Sequence, residues 1–191
     1  MNDAHRFALL KLARETIRTH LAGEPLPALP VLEGLPDTCG GVFVTLRRGR
    51  QLRGCIGEFQ STHTLADAVQ QMALAVLRDP RFQDEPVRLE ELTELSVEIS
   101  VLSPMERSHN PLALVPGIHG IWIRKGGRSG CFLPQVAAEQ GWDAVQLLTY
   151  CCTHKAGLPP NAWQDPSMEV YLFTAEILEE RPSPPEHTEC G

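Results

Sequence analysis

The chain has 191 residues, of which 42% are hydrophobic and 21% are charged, and its formal net charge is −7. This composition is typical of a globular protein and excludes a fibrous or disordered class for most of the chain. The length allows one domain, with or without a smaller lobe. The negative net charge argues against a protein that binds the phosphate backbone of nucleic acid by charge alone.

Export and membrane insertion are also disfavoured. No apolar stretch reaches the about 20 residues needed to cross a bilayer, and residues 1–23 alternate apolar with charged side chains instead of forming a signal-peptide core. We therefore expect a cytoplasmic protein without a membrane segment. The six cysteines should then be reduced thiols.

The first elements are a helix, a connector and a hairpin. Apolar side chains at three- and four-residue spacing predict an amphipathic helix over residues 3–21, which Gly23 ends. Four prolines make residues 24–38 an extended connector. Two β-prone runs, 42–46 and 51–56, flank Arg-Arg-Gly-Arg and predict a hairpin.

A second helix and a strand follow. Thr64 and Asp67 resemble a capping box, which predicts a helix that runs to about Asp79, where Pro80 ends it. Strict alternation over residues 95–101 predicts a strand with one buried face and one wet face. Such a strand is typical of an antiparallel sheet.

The sequence of the second half of the chain predicts another hairpin and another helix. Residues 117–133 form the hairpin around a glycine-rich turn at 126–130, which lacks the Lys-Ser/Thr ending of a phosphate loop. A short helical segment follows Pro134, and Asp143 caps a longer helix that ends at Gly157. A last strand, 168–177, precedes a mobile tail, 181–191.

The segment around Cys55 is the leading candidate for chemistry. Side-chain alternation places Arg53, Cys55 and Gly57 on one face of the strand, and a guanidinium beside a thiol favours the reactive thiolate. Gly54 and Gly57 indicate a bulge or the close approach of a ligand or another backbone. The alternative is that Cys55 is a small buried hydrophobe.

His119 and Arg81 are the other candidates for the same site. His119 could serve as a base or orienting group for Cys55, although a histidine before a glycine also suits a turn or a packed imidazole. Arg81 could bind an anionic group, or it could pair with Asp84 or Glu85.

Two further patterns carry weaker hypotheses. Cys151 and His154 lie one helical turn apart, but a metal site needs three or four ligands, so we predict neither a metal nor a cofactor. The arginine run at 47–53 could contact RNA, but it is more typical of the solvated turn of a hairpin.

Several motifs together resemble the AMMECR-one family. Leu52-Arg53-Gly54-Cys55-Ile56-Gly57, followed by Phe59, is similar to the family signature. Its companions are Asp79-Pro80-Arg81-Phe82, Gly117-Ile118-His119-Gly120-Ile121, Leu133-Pro134-Gln135-Val136-Ala137, Glu139-Gln140-x-Trp142-Asp143 and Lys155-Ala156-Gly157-Leu158. Gln135 stands where the family often has a glutamate, which argues against a catalytic acid at that position.

The resemblance implies an α+β fold, with an antiparallel sheet and packed helices, as a single domain over residues 1–180 with a larger part and a smaller lobe. It also implies a cleft that bears the signature strand, with Cys55 and His119 as candidate catalytic residues and Arg53, Gly54, Gly57 and Arg81 as ligand-binding residues. Members are associated with a Memo-like protein and a radical S-adenosylmethionine protein, in the AmmeMemoRadiSam system. A small-molecule site, a non-enzymatic adaptor and an RNA-binding protein remain as alternatives.

Overall fold

The computed structural model describes residues 1–34 and 39–180. The predicted tail, 181–191, and residues 35–38 of the predicted connector lie outside the described residues. The helices are α1 (Asp3–Ala22), α2 (Leu65–Ala75), α3 (Pro134–Gln140) and α4 (Ala144–Tyr150). The strands are β1 (Gly41–Arg48), β2 (Gln51–Phe59), β3 (Leu95–Leu102), β4 (Glu106–Ser108), β5 (Gly120–Lys125), β6 (Arg128–Phe132), β7 (Glu169–Phe173) and β8 (Ala175–Glu179).

The strands form two four-stranded sheets, each with its own hydrophobic core. The order in the first sheet is β2-β1-β3-β8 and in the second β4-β7-β5-β6, and every neighbouring pair is antiparallel. We call the first sheet with α1 and α2 the first lobe, and the second sheet with α3 and α4 the second lobe. The predicted α+β class is confirmed.

The first lobe is built on the buried face of its sheet. Val42, Val44 and Leu46 alternate along β1 and are fully buried, and they pack in one cluster with residues of α1 and α2. The Asn2 side chain caps the start of α1, and Gly23 ends it with a φ of 69°. This conformation favours glycine, so the predicted end of the helix is confirmed.

The second lobe repeats this arrangement with a separate cluster. Ile121 and Ile123 of β5 are fully buried against Leu147 and Leu148 of α4. Asp143 caps α4 as predicted, because its carboxylate accepts a hydrogen bond from the Gln146 backbone N–H at 2.8 Å. A π-helical turn, Cys151–Lys155, extends the helix.

The predicted last strand is wrong in one respect, because the chain divides it between the two sheets. β7 pairs with β4 and β5 in the second sheet, whereas β8 pairs with β3 in the first. Thr174, between them, marks the passage from one lobe to the other. Its backbone N–H donates to Ser103 Oγ at 3.0 Å, and Ser103 N–H donates to its carbonyl at 2.9 Å. The two connections between the lobes are therefore joined side by side.

Two smaller expectations also need correction. The α-helical part of the second helix ends at Ala75, and a 3-10 turn, Val76–Arg78, continues the chain to Asp79. The polar face of β3, predicted to be wet, is covered in part, because Ser96 is exposed whereas Ser100 is only 1% exposed. Gln135 of α3 contacts Ser100, so the second lobe shields this face.

Membrane insertion can be examined on the described part of the chain. Within residues 1–34 and 39–180, no helix combines the length and apolar character needed to cross a bilayer.

Candidate functional site

Cys55 lies on β2, at the edge of the first sheet, with its side chain on the face opposite α1 and α2. It is directly across from Thr45 of β1, whose hydroxyl donates a hydrogen bond to the Cys55 sulfur at 3.3 Å. Thr45 is buried, whereas Cys55 is half-buried. The thiol is therefore anchored on one side by a buried hydroxyl and open on another.

The main chain of Cys55 is held by two charged side chains instead of a neighbouring strand. Its N–H donates to Asp79 Oδ2 at 2.9 Å, and its carbonyl accepts from Arg81 Nη2 at 3.0 Å. Arg81 also donates to both carboxylate oxygens of Asp79, from Nε at 3.0 Å and Nη2 at 2.6 Å. The Asp79–Arg81 pair thus occupies the open edge of β2 where another strand would pair.

The electrostatics of this pair place a permanent cation beside the thiol. Hydrogen bonding to Arg81 lowers the pKa of Asp79 from 3.8 to about 2, against the opposing effect of burial. The pKa of Arg81 is raised, first by its hydrogen bond to Asp79 and also by the Cys55 thiol. Asp79 is 2% exposed, whereas the Arg81 side chain is 55% exposed. Arg81 can therefore meet a ligand from solvent. Its predicted pairing with Asp84 or Glu85 is replaced by the pairing with Asp79.

Arg53 does not play the part predicted from strand alternation. The pairing of β1 with β2 passes from Gly54 to Leu52 and skips Arg53, which is the extra residue of a bulge. Its guanidinium donates to the Glu85 carbonyl at 3.1 Å and to a Glu91 carboxylate oxygen at 3.2 Å. The positive charge of Arg53 is therefore directed to these groups, and Arg81 is the cation at the thiol.

Arg53 instead lines an open cavity of about 770 Å³ on the first lobe. The lining is rich in charges of both signs, including Arg48, Arg88, Glu85 and Glu91. Arg48 and Arg53 both contact Glu91, at 2.6 and 3.2 Å. The arginine run of the hairpin is thus largely neutralised by carboxylates, which weakens the RNA-binding alternative.

Both signature glycines make room for this chain's own atoms. A Cβ on Gly54 would lie 2.9 Å from the Val76 carbonyl oxygen, and a Cβ on Gly57 would lie 2.2 Å from the Phe43 ring. The ring of Phe43 packs on Phe59, which stacks on Trp122 of the second lobe. These contacts explain the glycines as packing requirements, so the interpretation as a ligand approach is not needed.

His119 is placed apart from the Arg81 pair. Its Nδ1 accepts a hydrogen bond from the Val115 backbone N–H at 2.9 Å, as expected for the turn alternative. It lines a second cavity, of about 460 Å³, with Ser108, Phe173 and Thr174. Neither this cavity nor the one at Arg53 is lined by Cys55. The structure therefore brings Arg81, but neither Arg53 nor His119, into the contacts that surround Cys55.

The second lobe contributes Cys131 to the surroundings of Cys55. Cys131 pairs with Trp122 on β5, and Trp122 stacks on Phe59 of β2. Burial raises the pKa of Cys131 to about 12, with Lys155 lowering it and the nearby Cys55 raising it further. Cys131 therefore remains a neutral thiol at neutral pH.

Three residues that the sequence did not single out complete this face of the first sheet. Cys55, Thr45, Glu98 and Glu179 lie directly opposite one another in a row across β2, β1, β3 and β8. Burial raises the pKa of Glu98, which lies 4.0 Å from Arg47 and also contacts Gln135. Cys55 and Gln135 belong to the recognised motifs, whereas Thr45, Glu98 and Glu179 do not. No local sequence pattern marks Thr45 and Glu98 as site residues, because only the pairing of the strands places them in one row with Cys55.

The weak metal hypothesis has no structural support in the described residues. Cys151 and Cys152 are fully buried, and burial raises the pKa of both thiols. In the described ranges, no group of three or more His, Cys, Asp or Glu side chains is arranged to hold a metal ion. The five described cysteines are unpaired.

The fold and the site define an α+β protein of two antiparallel sheets, with a thiol at the edge of the first sheet near the second lobe. The AMMECR1 family model matches residues 10–178. This chain belongs to the AMMECR1 family, as the sequence motifs predicted.

Similar proteins come from archaea. Protein TK0174 of Thermococcus kodakarensis is 48% identical over 186 residues, which cover 90% of this chain and 88% of that protein. A protein of Methanothermobacter thermautotrophicus is 42% identical over 182 residues, covering 90% and 92% of the two chains. The crystal structure of an uncharacterized protein, PH0010, from Pyrococcus horikoshii superposes with a TM-score of 0.80 at 40% identity, covering 91% of this chain and 90% of that one.

Proposed function

We propose that the chain binds a small electrophilic molecule with an anionic group beside Cys55, and that the Cys55 thiolate attacks its electrophilic carbon. A carbon–sulfur bond forms, and the leaving group departs with the electron pair of its bond to that carbon. The observation that carries this proposal is the exposed Arg81 guanidinium, which a buried Asp79 holds against the Cys55 residue. A guanidinium stabilises the thiolate and can bind a carboxylate or phosphate with two parallel hydrogen bonds. The half-buried thiol and the exposed cation are then the two contact points of the ligand.

The experiment compares two alkylating agents that differ in charge. Iodoacetate carries a carboxylate and iodoacetamide is neutral, so the ratio of their rates at one cysteine reports local attraction of an anion. We expect a higher ratio at Cys55 than at Cys39, measured by mass spectrometry of each peptide. Arg81→Gln should lower the Cys55 ratio by about fivefold, since one favourable charge contact is lost.

Arg78→Gln is the matched control, because Arg78 is an exposed arginine in the preceding turn. It should leave the ratio unchanged. The neutral reagent corrects each variant for altered access to the sulfur. An equal ratio at Cys55 and Cys39, or a ratio that Arg81→Gln leaves intact, contradicts the proposal.

A non-enzymatic adaptor is the second candidate, and one feature favours it. Leu112, Val115 and Ile118 are large apolar side chains that are each about half exposed, at 50%, 45% and 57%. They lie in the segment between β4 and β5, beside His119. Exposed apolar side chains that lie near each other are typical of surfaces that bind a partner.

We also propose that the chain acts in the cytoplasm with the Memo-like and radical S-adenosylmethionine proteins. Family membership and the unpaired cysteines support this proposal. Co-purification of the three proteins tests it, with Cys55→Ser as a variant that removes the thiolate but keeps the surface. Equal partner binding by wild type and variant is expected, and the absence of binding by the wild type contradicts the partnership.

A further inference from the structure

We propose that Glu98 is the proton partner of Cys55, with the Thr45 hydroxyl as the link between them. This inference deepens the proposed function, because it names the groups that convert the thiol to a thiolate. It replaces His119, which is hydrogen-bonded within its own turn.

The three residues lie in one row on one face of the first sheet. Thr45 of β1 is directly opposite Cys55 of β2 on one side and Glu98 of β3 on the other. Residues that are directly opposite in an antiparallel pair have Cβ atoms about 5 Å apart and project to the same face. Rotation of the Glu98 side chain is the one movement needed to bring its carboxyl to the Thr45 oxygen, because the Thr45 hydroxyl already reaches the Cys55 sulfur at 3.3 Å.

The row forms a complete path for one proton. In one state the thiol donates to the Thr45 oxygen, and the Thr45 hydroxyl donates to the Glu98 carboxylate. In the other state the protonated Glu98 donates to the Thr45 oxygen, and the Thr45 hydroxyl donates to the Cys55 thiolate. One proton leaves the sulfur and one reaches the carboxylate, so the net charge of the row is unchanged. The recorded hydrogen bond, from Thr45 to the sulfur, has the direction of the second state.

The surroundings of Glu98 raise its pKa, mainly because the side chain is buried. Its side chain is only 15% exposed, and Glu139 of α3 and Glu179 of β8 oppose its negative charge. Arg47 of β1 favours the charged form from 4.0 Å. A hydrogen bond from the Gln135 amide of α3 also favours the charged form of Glu98. The Gln135 side-chain oxygen is buried and has no hydrogen-bond partner.

The test is the pH dependence of Cys55 alkylation by iodoacetamide in the full chain. When two coupled groups share a proton, the rate rises in two steps, whereas an isolated thiol gives one step. We expect two steps in the wild type between about pH 5 and pH 10. Glu98→Gln and Thr45→Val should each give one step, because neither variant retains two groups that share a proton.

Two matched control variants show whether the loss of a step comes from loss of the proton path or from altered packing. Glu179→Gln removes a carboxylate from the same row, one strand beyond Glu98, and should keep both steps. Thr45→Ser keeps the hydroxyl and should also keep both steps. A single step in the wild type, two steps in Glu98→Gln, or loss of a step in Glu179→Gln overturns the inference. The preference of Cys55 for iodoacetate over iodoacetamide is independent of these outcomes, so the failure of this inference is distinguishable from the failure of the proposed function.

Discussion

At the residue scale, Asp79 organises the site although it is almost entirely buried. It is 2% exposed and accepts hydrogen bonds from the Cys55 backbone, the Arg81 backbone and the Arg81 guanidinium. A buried carboxylate is stable only when its lone pairs are satisfied in this way. Asp79 therefore fixes both the strand that carries the thiol and the cation beside it.

Asp79→Asn should destabilise the folded protein by about 2 kcal/mol at neutral pH. The amide keeps one acceptor oxygen but turns a donor toward groups that are themselves donors, and it leaves the Arg81 cation unpaired. Urea unfolding measures the loss. Asp84→Asn, which changes an exposed carboxylate in the same segment, should shift the unfolding free energy by less than about 0.5 kcal/mol.

The same residue predicts a pH dependence whose sign follows from its lowered pKa. The pKa of Asp79 is about 2 in the folded chain and 3.8 for the ordinary group. A depressed pKa stabilises the fold fully above the ordinary value, and this contribution is lost as the pH falls through about 2. The difference in unfolding free energy between wild type and Asp79→Asn should shrink over that window. A difference that stays constant from about pH 5 to about pH 2 contradicts the assignment.

At the element scale, the β1–β2 hairpin joins the site to the second lobe. Gly57 lets the Phe43 ring lie across β2, where it packs edge-on against Phe59 with centroids 5.1 Å apart. Phe59 in turn stacks on Trp122, with centroids 6.0 Å apart. The hairpin thus positions the thiol and also supplies aromatic contacts between the lobes.

Gly57→Ala should destabilise the protein by about 1 to 3 kcal/mol, because the new methyl group overlaps the Phe43 ring. In a Phe43→Ala background the ring is absent, so the added cost of Gly57→Ala should fall to less than about 0.5 kcal/mol. A double-mutant cycle of unfolding free energies measures this coupling. An equal cost of Gly57→Ala in both backgrounds would show that the ring is not the cause.

Several elements could be predicted from the sequence because their signals are local. Gly126 and Gly127, both with positive φ, form the turn of the second hairpin, and Gly23 ends α1. The prediction that Arg53 shares a strand face with Cys55 was wrong, because a bulge at Arg53 breaks the alternation of side chains. A bulge leaves no mark in the pattern of residue types. The run from Met168 to Ile177 is uniformly β-prone, so the sequence did not show that the chain changes sheets at Thr174. Strand register, which no local pattern records, brings Thr45 and Glu98 to Cys55.

At the scale of the whole molecule, hydrogen bonds join the two chain segments that connect the first lobe to the second. Ser103 and Thr174 hydrogen-bond where the chain leaves and re-enters the first lobe, and the aromatic stack of Phe59 and Trp122 adds a second contact. Cys131 is thereby held near Cys55 across the lobe boundary. A ligand at Cys55 would therefore meet groups from both lobes.

The central claim, that Cys55 and Arg81 form one site for an anionic electrophile, is tested most directly by a crystal structure after iodoacetate treatment. We predict a carboxymethyl group on the Cys55 sulfur, with its carboxylate bound by the Arg81 guanidinium in hydrogen bonds of about 2.8 Å. The Asp79–Arg81 pair should remain in place, because Asp79 is buried beneath it. A carboxymethyl group on Cys55 that points away from Arg81, or modification of Cys39 with Cys55 unmodified, would contradict the claim.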